Sequence, residues 1–158
     1  MQVILVRHAE AVDETLALRD PYRHLTPRGR QQARALGDRL RWHDCVPTKI
    51  WTSPLVRAVQ TAELVAIGLA CSKEVEIIVD LAPDGNARQI QQAVRTLPED
   101  AAVMLIGHEP SLSAIGSLII GAELDALEKA QAVRILDGVV RWRFAWDAEA
   151  PTVVGGKP

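Results

Sequence analysis

The chain has 158 residues, of which 48% are hydrophobic and 24% are charged, and its formal net charge is -2. This length is typical of one domain with a substantial core, and the composition excludes an intrinsically disordered chain. The small net charge disfavours general nucleic-acid binding, which needs a clustered positive surface. No apolar run approaches the ~20 residues of a membrane-spanning helix, and the first residues lack the pattern of a signal peptide. We therefore expect a cytoplasmic protein that binds neither nucleic acid nor membranes.

The first predicted strand ends in an arginine and a histidine. Residues 3–6 are four apolar, mostly β-branched side chains, the pattern of a buried strand, and Arg7 and His8 follow at its end. A polar loop is expected over residues 11–25. The Thr-Pro pair at 26–27 then predicts a helix start, because threonine can cap the helix and proline suits its first turn.

Strands and helices alternate through the rest of the chain. Further strands are predicted at 49–52, 75–79 and 102–107, further helix starts at Ser53-Pro54, Asn86 and Pro110-Ser111, and a hairpin at 133–144. This order predicts an α/β three-layer sandwich, with a mostly parallel central sheet and helices on both faces. We expect a single domain over residues 1–150 and a loose C-terminal tail over residues 151–158.

Basic side chains follow three of the predicted strands. His8 follows the first, Arg57 falls in the first helical turn after the second, and His108 follows the strand at 102–107. For His8 alone, an ordinary strand that happens to end in a histidine would be the simpler interpretation. Ligands of open α/β sheets bind at the carboxyl ends of the strands, so we expect these side chains and Arg7 to share one pocket.

Two histidines and two arginines at one sheet edge are suited to phosphoryl transfer. A neutral imidazole can attack phosphorus, while guanidinium groups bind phosphate oxygens and lower the pKa of the histidine. A second imidazole can stabilise the transition state, a role worth roughly 2.7 to 4 kcal/mol per donor in oxyanion sites. This scheme needs no metal and no cofactor. Cys45 and Cys71 lack metal-ligand spacing and are expected to be reduced thiols.

Three segments together resemble the histidine phosphatase superfamily, also called the phosphoglycerate mutase-like family. They are VRHA at residues 6–9, SPLVRAVQTA at 53–62 and GHEP at 107–110. The resemblance extends over residues 2 to about 120 and is strongest to the SixA-type phosphohistidine phosphatases. It implies the phosphoglycerate mutase-like fold, phosphorylation of His8, and phosphate binding by Arg7, Arg57 and His108.

The resemblance does not identify the proton donor. The glycine-rich, acid-bearing loop of the mutases is not recognisable after residue 80, so Asp20 is the first candidate donor and Asp80 the second. Glu10 and Glu109 lie near the two histidines in sequence and could equally be solvated. Arg23 either reaches the phosphate, as the resemblance implies, or forms a surface pair with Asp20.

The favoured hypothesis is a metal-independent phosphatase that acts through a phosphohistidine intermediate on His8. The expected partner is a phosphohistidine-bearing domain of another protein, as in signal transduction, because a chain of this length leaves no room for a lid and the site should be shallow and open. A phosphatase of a small phosphorylated metabolite is the second hypothesis. A non-catalytic phosphate-binding adaptor is the third, although pure binding would need only the arginines. We expect a monomer.

Overall fold

The computed structural model describes residues 1–154, which contain seven strands and four α-helices. The strands are β1 (Gln2–Arg7), β2 (Lys49–Thr52), β3 (Val75–Ile77), β4 (Ala102–Gly107), β5 (Gln131–Leu136), β6 (Val139–Ala145) and β7 (Thr152–Val153). The helices are α1 (Pro27–Leu40), α2 (Val56–Gly68), α3 (Ala87–Arg95) and α4 (Ser111–Ile120). Single 3-10 turns cover Asp20–Tyr22 and Val79–Leu81.

All seven strands form one sheet in the order β3-β2-β4-β1-β5-β6-β7. The neighbours β3, β2, β4 and β1 run parallel, and β5, β6 and β7 extend the sheet in antiparallel fashion. Strand β4 lies between β1 and β2, with Gly107 opposite Arg7 and Ile106 opposite Thr52. The carboxyl ends of these three strands therefore lie side by side.

Two hydrophobic cores cover the two faces of the sheet. Along β1, Ile4 and Val6 pack into the core that includes α1 and α2, while Val3 and Leu5 pack into the core that includes α3 and α4. Successive side chains of a strand point to opposite faces, so an uninterrupted apolar strand is what a sheet covered on both sides requires. The predicted α/β three-layer sandwich is confirmed.

Two predicted helix starts had different outcomes. At α1, the Thr26 hydroxyl accepts a hydrogen bond from the Gly29 N–H at 2.9 Å, as expected for a capping residue. The prediction of a start at Ser53-Pro54 was wrong, because α2 begins at Val56 and its N-cap residue is Leu55. Ser53 instead contacts a histidine, as described below.

Helices α1 and α2 cross in close contact at two glycines. A Cβ atom on Gly37 would collide with the backbone of Val65, and one on Gly68 would collide with the backbone of Arg34. This close approach fixes α2, and with it Arg57, against the rest of the helical layer.

The C-terminal segment differs from the prediction of a loose tail. Thr152 and Val153 form β7, which pairs with Arg143 and Trp142 of β6. Residues 155–158 of the predicted tail lie outside the described residues. None of the helices within residues 1–154 is long and apolar enough to cross a membrane.

Candidate active site

The fold brings the four predicted side chains to one place at the carboxyl edge of the sheet. The rings of His8 and His108 lie with their centroids 5.1 Å apart, and the charges of Arg57 and Arg7 both act on His8. His8 is 6% exposed, Arg57 5% and His108 3%. These three side chains are thus largely buried, and Arg7 is half-buried.

His8 is held as a neutral imidazole with a defined tautomer. Its Nδ1 lies 2.7 Å from the main-chain oxygen of Ala9, and because a carbonyl can only accept, Nδ1 must carry the hydrogen. Burial lowers the pKa of His8 to about 4, and the nearby charges of Arg57, Arg7 and Lys129 act in the same direction. The Nε2 atom therefore has a free lone pair at neutral pH, as a nucleophile requires.

The turn that carries His8 is tied to three other segments. The His8 N–H donates to the Gly107 carbonyl at 3.1 Å, and the Ala130 N–H donates to the Arg7 carbonyl at 3.1 Å. The Ala9 N–H donates to the Thr61 hydroxyl at 3.0 Å, which in turn donates to the Arg57 carbonyl at 2.8 Å. One buried hydroxyl thus connects the turn to the helix that presents Arg57.

Asp20 binds two arginines, Arg57 of α2 and Arg23 of the loop at residues 11–25. Its main-chain oxygen accepts from Arg57 Nη1 at 2.9 Å, and its carboxylate lies 3.4 Å from Arg57 Nη2 and 3.0 Å from Arg23 Nη1. The hydrogen bond from Arg23, aided by the charge of Arg57, holds the pKa of Asp20 below its usual value. A proton-donating carboxyl group needs a raised pKa, so this environment disfavours Asp20 as an acid.

The other candidate carboxylates are engaged by neighbouring backbone or hydroxyl groups. Glu10 accepts from the Thr26 hydroxyl at 2.8 Å, and Glu109 accepts from the N–H of Ser113 at 3.1 Å. Asp80 accepts a main-chain N–H just before α3 at 3.2 Å. In these positions the carboxylates stabilise the starts of helices, where negative charge is favourable.

Three buried nitrogens in the site have no hydrogen-bond partner. They are Nε of Arg7, Nε of Arg57 and Nδ1 of His108, and within residues 1–154 no other buried side-chain nitrogen or oxygen is unpaired. Leaving a buried donor unpaired costs about 1–3 kcal/mol, so native proteins rarely do it without a functional reason. A bound oxyanion would supply acceptors of the kind that these atoms lack.

The sequence interpretation missed several contributors to this site. Ser53 was assigned to a helix cap, but its hydroxyl lies 2.7 Å from His108 Nε2. The carbonyl of Leu127 accepts from Arg7 Nη1 at 2.9 Å, and exposed Lys129 adds its charge near His8. No local pattern marks residues 127–129, because only the fold brings this segment to the end of β1.

Comparisons with known proteins agree with this geometry. The sequence model of the histidine phosphatase superfamily (branch 1) matches residues 3–82. The phosphohistidine phosphatase SixA of Escherichia coli K12 is 30% identical over 112 residues, which cover 70% of this chain and 68% of that protein.

Solved structures share the fold. The protein histidine phosphatase SixA complexed with tungstate aligns with a TM-score of 0.84 at 23% identity, covering 92% of this chain and 97% of that chain. A mycobacterial glucosyl-3-phosphoglycerate phosphatase aligns with a TM-score of 0.64 at 17% identity, covering 84% of this chain and 88% of that chain. The fold is therefore phosphoglycerate mutase-like, as predicted.

The matched sequence range contains Arg7, His8 and Arg57, and the fold adds His108 from outside that range. The similarity to SixA and the superfamily match support a phosphatase. The chain belongs to the histidine phosphatase superfamily, branch 1, as a SixA-type member, and the membership predicted from its three motifs is confirmed.

Proposed function

We propose that the protein is a metal-independent phosphatase that removes phosphate from phosphohistidine on another protein. The observation that supports this most directly is the set of unpaired buried nitrogens on Arg7, Arg57 and His108, which lie in the same site as a neutral His8. We infer that these atoms bind phosphate oxygens while His8 Nε2 attacks phosphorus.

In the first step, the Nε2 lone pair of His8 attacks the phosphorus of the substrate phosphohistidine. A new P–N bond forms to His8 as the P–N bond to the substrate imidazole breaks, and the bonding electrons go to the departing ring nitrogen. The His8 Nδ1–H keeps its hydrogen bond to the Ala9 carbonyl, and this hydrogen bond stabilises the positive charge of the phosphorylated ring. Arg7, Arg57 and His108 stabilise the charge on the equatorial oxygens.

In the second step, water attacks the phosphorus from the side opposite to His8. The P–Nε2 bond breaks and its electrons return to Nε2, while the proton lost by water goes to a phosphate oxygen or to solvent. Inorganic phosphate then leaves and His8 is neutral again. The same unpaired nitrogens stabilise both transition states, because charge develops on the same three oxygens.

The state of Asp20 favours a phosphoramidate substrate. An alkyl phosphate needs an acid to protonate its leaving oxygen, but the arginines beside Asp20 keep that carboxyl ionised. The imidazole of phosphohistidine can arrive already protonated and leaves without an acid.

A phosphatase of a small phosphorylated metabolite is the second candidate. The burial of His8, Arg57 and His108 supports it, because small-molecule sites bury most of the surface of their ligand. The chemistry of His8 would be the same, and only the groups around the phosphate would decide between the two substrate classes.

A turnover experiment tests this proposal. A protein phosphorylated on histidine and a panel of phosphate monoesters are compared as substrates in the presence of chelator, with the wild-type protein and His8→Ala. We expect the phosphohistidine protein to be the best substrate, and a loss of at least about 10³-fold in His8→Ala, since the nucleophile is removed. Rapid quenching should trap an acid-labile phosphate on His8 in the wild type.

Each other outcome excludes part of the proposal. Turnover that survives His8→Ala would contradict the mechanism. Turnover of a single monoester without activity on phosphohistidine would establish the second candidate. Phosphate binding without turnover of any substrate would show the adaptor that the sequence left as an alternative.

A further inference from the structure

Ser53 and His108 form a buried hydrogen bond that the proposed chemistry does not yet use. The Ser53 Oγ lies 2.7 Å from His108 Nε2, and the two residues are 0% and 3% exposed. Ser53 directly follows β2, and His108 directly follows the adjacent strand β4. The two neighbouring strand ends therefore bring the hydroxyl against the imidazole.

The single hydrogen of the Ser53 hydroxyl decides the direction of this bond. The Oγ atom already accepts the N–H of Leu55 at 3.2 Å, so that contact leaves the hydroxyl hydrogen unused. Within the described part of the chain, His108 Nε2 is the one acceptor within hydrogen-bond distance of this hydroxyl. If Nε2 carried the ring hydrogen instead, both the hydroxyl hydrogen and the Nδ1 lone pair would be buried without a partner, whereas with the hydrogen on Nδ1 only that N–H lacks one.

We propose that Ser53 is a positioning residue that donates its hydroxyl hydrogen to His108 Nε2 and thereby fixes the ring hydrogen of His108 on Nδ1. Nδ1 is the unpaired atom of this ring, so the fixed tautomer presents an N–H donor to the bound phosphoryl group. With the opposite tautomer, a lone pair on Nδ1 would face phosphate oxygens and repel them. The kinetic part of this inference rests on the proposed phosphatase function, whereas the tautomer itself does not.

The surroundings of His108 keep the ring neutral, as this assignment requires. Burial lowers the pKa of His108 to about 3, and His8 and Arg57 act in the same direction. A neutral ring carries one hydrogen, so a partner that occupies Nε2 determines which nitrogen can donate. The donor is then in place before the substrate binds, and the protein does not have to reorganise during the reaction.

Nitrogen NMR of the histidine rings tests the tautomer without any turnover. In ¹⁵N-histidine-labelled wild-type protein near pH 7, we expect His108 to carry its hydrogen on Nδ1, with Nε2 at the shift of an unprotonated ring nitrogen. In Ser53→Ala, the two tautomers should mix or Nε2–H should dominate. Ser53→Thr keeps a hydroxyl and should restore Nδ1–H.

Thr52→Val is the matched control. The Thr52 hydroxyl is also fully buried, one residue away, but it bonds to the main-chain oxygen of Ser53 at 3.1 Å and does not contact His108. This variant should leave the tautomer of His108 unchanged. A change as large as that in Ser53→Ala would mean that any disturbance of this strand end has the same effect, and it would overturn the inference.

Kinetics supply the second measurement. Ser53→Ala should lower kcat by roughly 10- to 100-fold, with a much smaller change in KM, because the lost donor acts mainly in the transition state.

Hydrogen on Nε2 of His108 in the wild type, or an unchanged tautomer in Ser53→Ala, would overturn the inference. The wild-type spectrum shows which ring nitrogen of His108 carries the hydrogen even if Ser53→Ala fails to fold. A wild type with Nδ1–H but no phosphatase activity would contradict the proposed function and leave the tautomer assignment standing.

Discussion

Asp20 contacts Arg57 through both its main chain and its side chain, with Arg57 Nη1 2.9 Å from the carbonyl oxygen and Nη2 3.4 Å from the carboxylate. These contacts engage both terminal nitrogens of Arg57 and leave its Nε unpaired in the site. The remaining carboxylate oxygen binds Arg23. Asp20 thus orients the guanidinium group that we propose to bind phosphate.

Asp20→Asn separates positioning from proton donation. If Asp20 acts by orienting Arg57, the amide should lower kcat/KM by about tenfold for every substrate, whatever its leaving group, since roughly one charge-assisted contact is weakened. The measurement is kcat/KM for a series of aryl phosphates whose leaving groups differ in pKa. The sequence-based assignment of Asp20 as proton donor stays a prediction, and a loss that grows with the pKa of the leaving group would support it.

The pH dependence of kcat/KM should reflect the low pKa of His8. Protonation of Nε2 removes the attacking lone pair, so activity falls as the pH drops through the pKa of the free enzyme, which is about 4. After correction for ionisation of the substrate, the acidic limb should lie near pH 4. A limb near 6.5, the ordinary value for histidine, would show that His8 is not buried as described.

Stability should depend on the same group. Between about pH 6.5 and pH 4, the unfolded chain takes up a proton on His8 that the folded chain does not, so the free energy of unfolding falls as the pH falls through this window. For a single buried group whose pKa falls from 6.5 to about 4, the full loss is on the order of 3 kcal/mol. His108, whose pKa of about 3 is also lowered, contributes in the same direction.

Urea denaturation at pH 7 and pH 4.5 measures this loss. His8→Gln has no titrating ring at this position and should lose less stability between the two pH values than the wild type. Equal losses in the two proteins would contradict the prediction.

Thr61→Val should weaken the attachment of the turn that carries His8 to helix α2. The substitution nearly preserves shape but removes the hydroxyl that joins the Ala9 N–H to the Arg57 carbonyl, leaving a buried donor unpaired at a cost of about 1–3 kcal/mol. We also expect a lower kcat, because His8 and Arg57 lose a shared support. Chemical denaturation and kinetics check both effects. Thr61→Ser retains the hydroxyl and should keep most of the activity, and equal kcat values for the two variants would refute this role.

Lys129→Glu should weaken the binding of anionic substrates. Lys129 is exposed and immediately precedes Ala130, whose N–H donates to the carbonyl of Arg7. At low salt we expect KM to rise by roughly 3- to 10-fold, and the difference should shrink at high salt, where charges are screened over a few ångströms. Lys73→Glu is the control. This exposed lysine precedes β3 and therefore lies at the amino ends of the parallel strands, whereas the site lies at their carboxyl ends. An equal rise in KM for both substitutions would show that the net charge of the protein, and not the position of Lys129, determines the effect.

Most of the elements could be predicted because their signals are local. The apolar runs of β1 and β4 and the Thr26-Pro27 start of α1 each depend on neighbouring residues alone. The convergence of His8, Arg57 and His108 followed from one general property of parallel sheets.

Other parts of the site depend on contacts between distant residues, which no local pattern shows. Ser53 has the signature of a helix cap, yet its hydroxyl is used by a histidine 55 positions away. The contact of Asp20 with Arg57 depends on how the loop 11–25 folds over α2. The backbone of that loop also covers the guanidinium group of Arg57.

The position of β4 between β1 and β2 has a consequence for biosynthesis. Strand β1, which leads to His8, emerges first from the ribosome, but its two sheet neighbours are β4 and β5, and the first of these follows only at residues 102–107. The nascent chain must therefore hold one apolar strand unpaired through a long stretch of translation, a state that favours aggregation or chaperone binding. A ribosome-bound fragment that ends before Gly107 should have no phosphatase activity, and the enzyme becomes competent only once the middle of its sheet is filled.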